Sequence, residues 1–327
     1  MKRGTAARVA CLALGVSGCA GVQSITPAAG AHTSAFNSLF AIFMTVCGVF
    51  YLLVIAFLFT AILRRRHEGD AGVPGAFRIW VIAVTVSLVG LAFASWVTDR
   101  AMAAFDNDGP PVRIRLTANQ WWWDVQYLGA HPSDGIRTAN ELHLPIGRPA
   151  QIELHSSDVI HSFWVPNLAG KQDLIPGRTT DIAFLPRRAG SYRSQCAEFC
   201  GAQHAHMALT VTVEPEAQFR AWWTRQQAEA PTPTTPVQQA GLAYFTNRAC
   251  ATCHNISGTS AGAQAAPDLT HIASRPTIAA GTMPMTRGAL YAWLADPQGV
   301  KPGSKMPTIG LQARELDALV AYLETLK

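Results

Sequence analysis

The 327-residue sequence predicts a multidomain membrane protein with a two-helix transmembrane hairpin, an all-β sandwich and an all-α C-terminal domain. Three observations carry that expectation. Residues 36–63 and 79–97 are apolar runs without a single Asp, Glu, Lys or Arg. From Pro111 to Pro215 the texture changes to short alternating runs punctuated by Gly and Pro. Beyond a Pro/Thr-rich stretch, helical patterns surround Cys250-Ala-Thr-Cys-His254. Hydrophobic residues make up 49% of the chain and charged residues 14%, an apolar balance for a soluble protein. A net charge of +5, with no basic patch interleaved with aromatics and no phosphate-cradling glycine loop, gives no footing for nucleic-acid binding.

The chain opens on Met1-Lys-Arg and an apolar run to Val16-Ser-Gly-Cys19, the pattern of a secretory signal. A cysteine after Val-Ser-Gly resembles a bacterial lipoprotein box. Residues 1–18 therefore read as a signal peptide and Cys19 as a lipidated first residue, with an ordinary or uncleaved signal as the alternative. Residues 19–35 follow as a periplasmic segment. A helix needs roughly 20 residues to cross a ~30 Å hydrocarbon core, and both apolar runs qualify. The hairpin is placed at 36–100. Arg64-Arg-Arg-His-Glu68 puts the connecting loop in the cytoplasm and both outer ends outside it. Cys47, within the first run, reads as a small apolar residue.

Val112-Arg-Ile-Arg-Leu116, Gln151-Ile-Glu-Leu154 and Leu209-Thr-Val-Thr-Val213 alternate with period two. With frequent turn signals, they predict an antiparallel β-sandwich or barrel over residues 108–215. Within it lies Cys196-Ala-Glu-Phe-Cys200-Gly-Ala-Gln-His204-Ala-His-Met207, with His161 upstream. Soft sulfur ligands plus imidazole suit copper better than calcium or magnesium. Two thiolates in one short loop are able to bridge two ions, which points to a binuclear copper centre. A Cys196–Cys200 disulfide or a zinc site competes with this reading, but neither explains Met207 or His161. His206 breaks the ligand spacing and reads as a surface residue. His143 and His155 have no clustered partners.

Residues 216–238 read as a helix and a semi-rigid linker, Glu229-Ala-Pro-Thr-Pro-Thr-Thr-Pro236, ahead of a domain at 239–327. Cys250-Ala-Thr-Cys-His254 is a c-type haem attachment pattern. Cys250 and Cys253 would reach the two vinyl groups, and His254 would meet the iron. Haem c is attached outside the cytoplasm, in agreement with the loop charge. A methionine as sixth ligand raises the potential relative to a second histidine. Met283, Met285 and Met306 are candidates. Met306 sits in Pro302-Gly-Ser-Lys-Met306-Pro, between helices expected at 288–296 and 313–326, a placing similar to the distal loop of small cytochromes c. Tyr244, Phe245, Trp293 and Leu294 are pocket candidates.

The Cys-x-x-x-Cys-x-x-x-His-x-x-Met motif and His161-Ser-Phe-Trp-Val-Pro166 resemble subunit II of the haem–copper cytochrome c oxidases. So do Gln120-Trp-Trp-Trp-Asp124 and Lys171-Gln-Asp-Leu-Ile-Pro-Gly-Arg178. The resemblance implies a cupredoxin-like sandwich, with a class I cytochrome c domain fused behind it. It implies CuA ligands His161, Cys196, Cys200, His204 and Met207, with Glu198 giving its backbone carbonyl. The Glu198 carboxylate would reach a magnesium ion at the border with subunit I, Asp158 and Asp173 would lie near that border, and Trp121 would be the surface tryptophan through which electrons enter.

The implied protein is subunit II of an aa3-type, proton-translocating oxidase in a bacterial cytoplasmic membrane. Its partners would be subunits I and III, membrane lipid and an external donor such as a cytochrome c. The implied path runs from donor to covalent haem c, to CuA, and to subunit I, where oxygen is reduced to water. A CuA subunit of a nitric oxide reductase and a stand-alone membrane-anchored carrier remain open on the sequence. A quinol oxidase subunit should lack the copper ligands. One departure stands out: Ala76-Phe-Arg-Ile-Trp80 lacks the Glu that family members often carry at the start of the second helix, and Glu68 is the nearest acid.

Overall fold

A computed structural model describes residues 21, 24–64, 73–105, 110–129, 131 and 134–327. The expected signal peptide, Cys19 and the basic loop after Arg64 lie outside the described residues.

The two apolar runs become helices α1 (Ala31–Arg64) and α2 (Val73–Phe105). At 1.5 Å per residue each is about 50 Å long, beyond what the hydrocarbon core demands. Both overrun the apolar stretches; Pro74 falls in the first turn of α2, where a proline is tolerated. Arg78 at one end of α2 and Asp99 and Arg100 at the other flank its uncharged run. Leu52, Phe59, Ile79 and Phe93 are each more than 60% exposed, an apolar surface that lipid would cover. Phe50 meets Trp80 edge-on across the helix pair, with centroids 5.2 Å apart. The start of α1 is stitched to the β domain. Ala29 and Gly30 N–H donate to the Asn167 carbonyl, Ala31 N–H donates to Leu185, and Arg187 N–H donates back to Ala29.

Ten strands form the sandwich: β1 (Val112–Asn119), β2 (Trp122–Tyr127), β3 (Ile136–Ala139), β4 (Glu141–Pro145), β5 (Ala150–Ser156), β6 (His161–Trp164), β7 (Lys171–Leu174), β8 (Thr180–Phe184), β9 (Gly190–Cys196) and β10 (Ala208–Glu214). The sheets run β3-β2-β1-β5-β8 and β4-β10-β9-β6-β7. Their facing rows, with Ile114, Leu116, Ile152, Leu154, Phe163 and Val211 at 0–1% exposure, make the core. The sandwich is not purely antiparallel. β1 pairs parallel with β5 and β4 with β10, each joining strands distant in sequence. Alternation reports which face is buried, not the direction of a neighbouring strand. Helix α3 (Glu216–Gln226) buries Phe219 and Trp222 in the same core, where Trp222 meets Tyr127 and stacks on His143 at 4.3 Å.

The C-terminal domain holds α4 (Pro236–Asn247), α5 (Arg287–Ala295), the single turn α6 (Pro297–Val300) and α7 (Ala313–Leu323), plus a two-residue hairpin of β11 (Thr277–Ile278) and β12 (Met283–Pro284). Thr235 and Gln238 form a capping box that starts α4 within the stretch read as linker, with Pro236 inside its first turn. Helices α4 and α7 cross at Gly241, where a Cβ would fall 2.0 Å from the Ala318 carbonyl oxygen. The two domains are seated on one another. Arg275, buried in the C-terminal domain, pairs with buried Glu141 of β4 at 3.3 Å and donates to Thr138 of β3 at 3.2 Å. Arg137 of β3 donates to the Gln264 carbonyl at 3.1 Å.

Candidate metal centres

Strand geometry assembles the first centre. His161 opens β6, Cys196 closes β9, and Cys200, His204 and Met207 follow on the loop into β10. Phe163 pairs with Cys196 across β6 and β9, which brings the histidine strand beside the cysteine loop. Cys196 Sγ lies 3.7 Å from Cys200 Sγ and 3.8 Å from His161 Nδ1. Cys200 Sγ lies 3.6 Å from His204 Nδ1 and 3.9 Å from Met207 Sδ. The Glu198 carbonyl oxygen is 3.2 Å from Cys196 Sγ. The thiols are free and too far apart for a disulfide, which sets that alternative aside. Two donors held at 2.0–2.3 Å by one tetrahedral ion lie roughly 3.5 Å apart, so the spacings match a metal-binding set. His161, Cys196, Cys200 and Met207 are all buried; His204 and Glu198 are half-buried.

The electrostatics agree with that chemistry. The hydrogen bond shared with Cys200, against burial and with help from His161, pulls the Cys196 thiol far below its ordinary range. The same bond, together with burial, pushes Cys200 up. The two thiols thus titrate as a pair, and a bound metal would displace protons from them. Burial opposes charge on His161, but bonds to Cys196 and Asp158 outweigh it and raise its pKa. His161 Nε2 donates to Asp158 Oδ1 at 2.9 Å, which turns Nδ1 toward the sulfurs. Asp158 also accepts from Gln120 N–H at 2.7 Å, so it braces the candidate ligand His161. Asp173 lies on β7 opposite Ser162. His206 is exposed, with Nδ1 on Gln203 at 2.9 Å. His143 bonds Glu214 and His155 bonds Glu153, both away from the sulfurs.

The second centre is a largely apolar cleft in the C-terminal domain. Cys250, Cys253, His254 and Met306 all line it, with Phe245, Trp293 and Leu294 among its walls. Tyr244, Met283 and Met285 pack on the domain core instead. His254 Nδ1 donates to the Pro267 carbonyl at 2.7 Å, leaving Nε2 for a ligand. Burial keeps His254 below its ordinary pKa, favouring the neutral imidazole that binds iron. The Met306 carbonyl is held by Gln298 Nε2 at 2.7 Å. A paired-cysteine turn, an available imidazole and a thioether around one apolar cleft fit a haem.

Trp121 joins the centres. Its indole Nε1 donates to the Cys200 carbonyl at 2.9 Å, and Gln120 Nε2 donates to the same oxygen at 2.7 Å. Gly201 permits this approach: its φ is +109°, and a Cβ there would lie 3.0 Å from the Trp121 ring. The ring also lines the haem cleft, with Gln120 and Trp122. Trp121 is therefore not a free surface residue, because the C-terminal domain covers it. Sequence reasoning missed this cover and its polar contacts: Arg275, Gln203 and Lys301 pair with residues too distant in sequence for any spacing to reveal them.

A two-helix anchor, a cupredoxin-like sandwich with a Cys/His/Met cluster and a helical cytochrome c domain define a membrane-anchored electron-transfer protein. The family model described as "Cytochrome C oxidase subunit II, periplasmic domain" matches residues 133–214, and that for "Cytochrome c" matches residues 238–327. Cytochrome c oxidase subunit 2 of Alkalihalophilus pseudofirmus is 31% identical over 97% of this chain and 95% of its own length. The same subunit of Bacillus sp. (strain PS3) is 34% identical over 80% of each. The chain belongs to the cytochrome c oxidase subunit 2 family, part of a haem–copper terminal oxidase, and its domains imply CuA copper and haem c. Among solved structures, the periplasmic domain of subunit II from Bradyrhizobium japonicum is 25% identical, covering 37% of this chain and 96% of that one at a TM-score of 0.34.

Proposed function

We propose that the chain is the electron-entry subunit of an aa3-type cytochrome c oxidase. It would relay electrons from an external donor, through covalent haem c and CuA, to subunit I, where oxygen is reduced and protons are translocated. The observation that carries this reading is Trp121, whose indole bonds the carbonyl of Cys200 while its ring walls the haem cleft. Haem iron and copper, when bound, each take up and release single electrons without a change of ligands.

The chain's own residues supply holding, orientation and dryness. His161, Cys196, Cys200, His204 and Met207, with the Glu198 carbonyl, would hold two coppers. Asp158 fixes the His161 ring, and the sandwich core excludes water from the sulfurs. Cys250 and Cys253 would carry the haem by thioether bonds, with His254 and Met306 on the iron. Pro267 fixes the His254 ring, and Gln298 fixes the backbone at Met306. The carboxylate of Glu198, a half-buried residue beside the 75% exposed Phe199, would reach a magnesium ion shared with subunit I. Subunits I and III would pack on the exposed apolar helices in a bacterial cytoplasmic membrane. Cys19 would add a lipid anchor, and the domain limits would follow the six segments laid out from the sequence.

Metal analysis and spectroscopy on the purified full-length chain test this reading. Two coppers with a mixed-valence signal and one low-spin covalent haem are expected. One copper, or zinc alone, would sink the binuclear centre.

A further inference from the structure

The two domains meet on a buried lysine. Lys301 is 2% exposed, and its Nζ donates to the carbonyls of Trp121 at 2.9 Å, His206 at 2.8 Å and Ala279 at 3.0 Å. An ammonium has three N–H groups and no acceptor, so three carbonyls satisfy it fully. Two of them belong to the sandwich and flank the copper candidate: Trp121 bonds Cys200, and His206 precedes Met207. A buried cation is costly unless bonded this way. Lysine here is therefore a specific choice, not filler.

The surrounding contacts converge on the same loop. Ala279, Ala280 and Gly281 have φ of 52°, 56° and 78°, a left-handed run unfavourable for alanine. Such strain persists only where surroundings hold it. That conformation aims the Ala279 carbonyl at Lys301 and lets the Ala280 carbonyl accept from Ala208 N–H at 3.0 Å, just after Met207. Gln203, itself buried, donates to the Pro302 carbonyl at 2.9 Å. Residues beside His204 and Met207 are thus gripped by the segment leading to Met306.

We propose that Lys301 is a positioning residue that clamps the Met306 loop onto the copper-binding loop. The haem cleft then stays closed over Trp121, and the entry face of the copper centre is occupied by this chain's own domain rather than by a passing donor. The proposal rests on the copper-and-haem reading above for its role in electron transfer, but not for its structural content.

The test is Lys301→Met in the full-length chain within its complex, followed by hydrogen–deuterium exchange and transfer kinetics. Peptides over residues 203–210 and 277–283 should exchange ~10-fold faster or more, as expected when buried carbonyls lose a charged donor, while β1 and β5 keep their protection. The copper and haem spectra should be unchanged. Haem-to-copper transfer after photoreduction should slow, and a small soluble reductant should gain direct access to copper. Lys301→Arg, which keeps the charge and donors, should recover part of the protection. Should Lys301→Met fold poorly, Gln203→Ala removes one grip and should show a smaller effect of the same kind. Unchanged exchange and unchanged transfer overturn the clamp. A wild-type chain without copper or haem signals would defeat the relay instead, and the exchange measurement would still decide the clamp.

Discussion

Trp121 Nε1 donates its hydrogen bond to the carbonyl oxygen of Cys200, a candidate copper ligand, at 2.9 Å. The indole thereby touches the backbone of one centre while its ring faces the other. In the proposed relay, a residue so placed would pass electrons between the centres rather than bind either metal. Trp121→Phe keeps an aromatic ring but loses the indole N–H and its bond, costing the sandwich about 1 kcal/mol. The copper spectrum should survive, and haem-to-copper transfer should slow in flash-photolysis measurements. Unaltered kinetics would remove Trp121 from the path.

Met306→Ala should abolish the thioether–iron charge-transfer band and lower the haem potential, since a methionine ligand raises it. Met285→Ala, on a residue packed against the core, should retain both. Optical titration of the two variants separates them, and a normal Met-ligated haem in Met306→Ala would reject that ligand.

The crossing of α4 and α7 leaves no room at Gly241, so a Cβ there would press on the Ala318 carbonyl. Gly241→Ala should destabilise the haem domain by about 1–3 kcal/mol, the usual range for overpacking. Calorimetry of the full chain should show the haem-domain transition fall while the sandwich transition holds. Equal melting in both proteins would contradict the close crossing.

His143 provides a pH test. Burial opposes its charge, yet bonds to Glu141 and Glu214 outweigh it and lift the pKa above 6.5. The folded state therefore keeps a proton that the unfolded chain releases. This stabilisation is complete below pH 6.5 and fades as pH rises through the folded value. Wild-type melting temperature should drop over that window, and His143→Gln should flatten the drop. A pH-independent difference between the two proteins would show that the pair carries no linkage.

Much of the centre was legible because its residues are close in sequence. Cys196 through Met207 span one loop, and their spacing carries the chemistry. The place of Met306 on the cleft wall was legible from its loop between two helices. Asp158 was visible as an acid but not as the partner that turns His161. Nothing in the sequence marks Lys301, because its partners at 121, 206 and 279 belong to three separate segments. The parallel pairs β1/β5 and β4/β10 were hidden for the same reason: a strand's own alternation says nothing about who lies beside it.

The stitches from Ala29, Gly30 and Ala31 into the sandwich have an architectural consequence. The first membrane helix does not begin after a slack tether; it grows directly out of the β domain. Position and tilt of the sulfur cluster are thus referenced to that helix. The C-terminal domain follows a Pro/Thr linker and is seated on the sandwich through Arg275, Lys301 and Gln203. Loosening those contacts would change the gap between that domain and the copper loop while leaving the loop's distance to the first helix as it was.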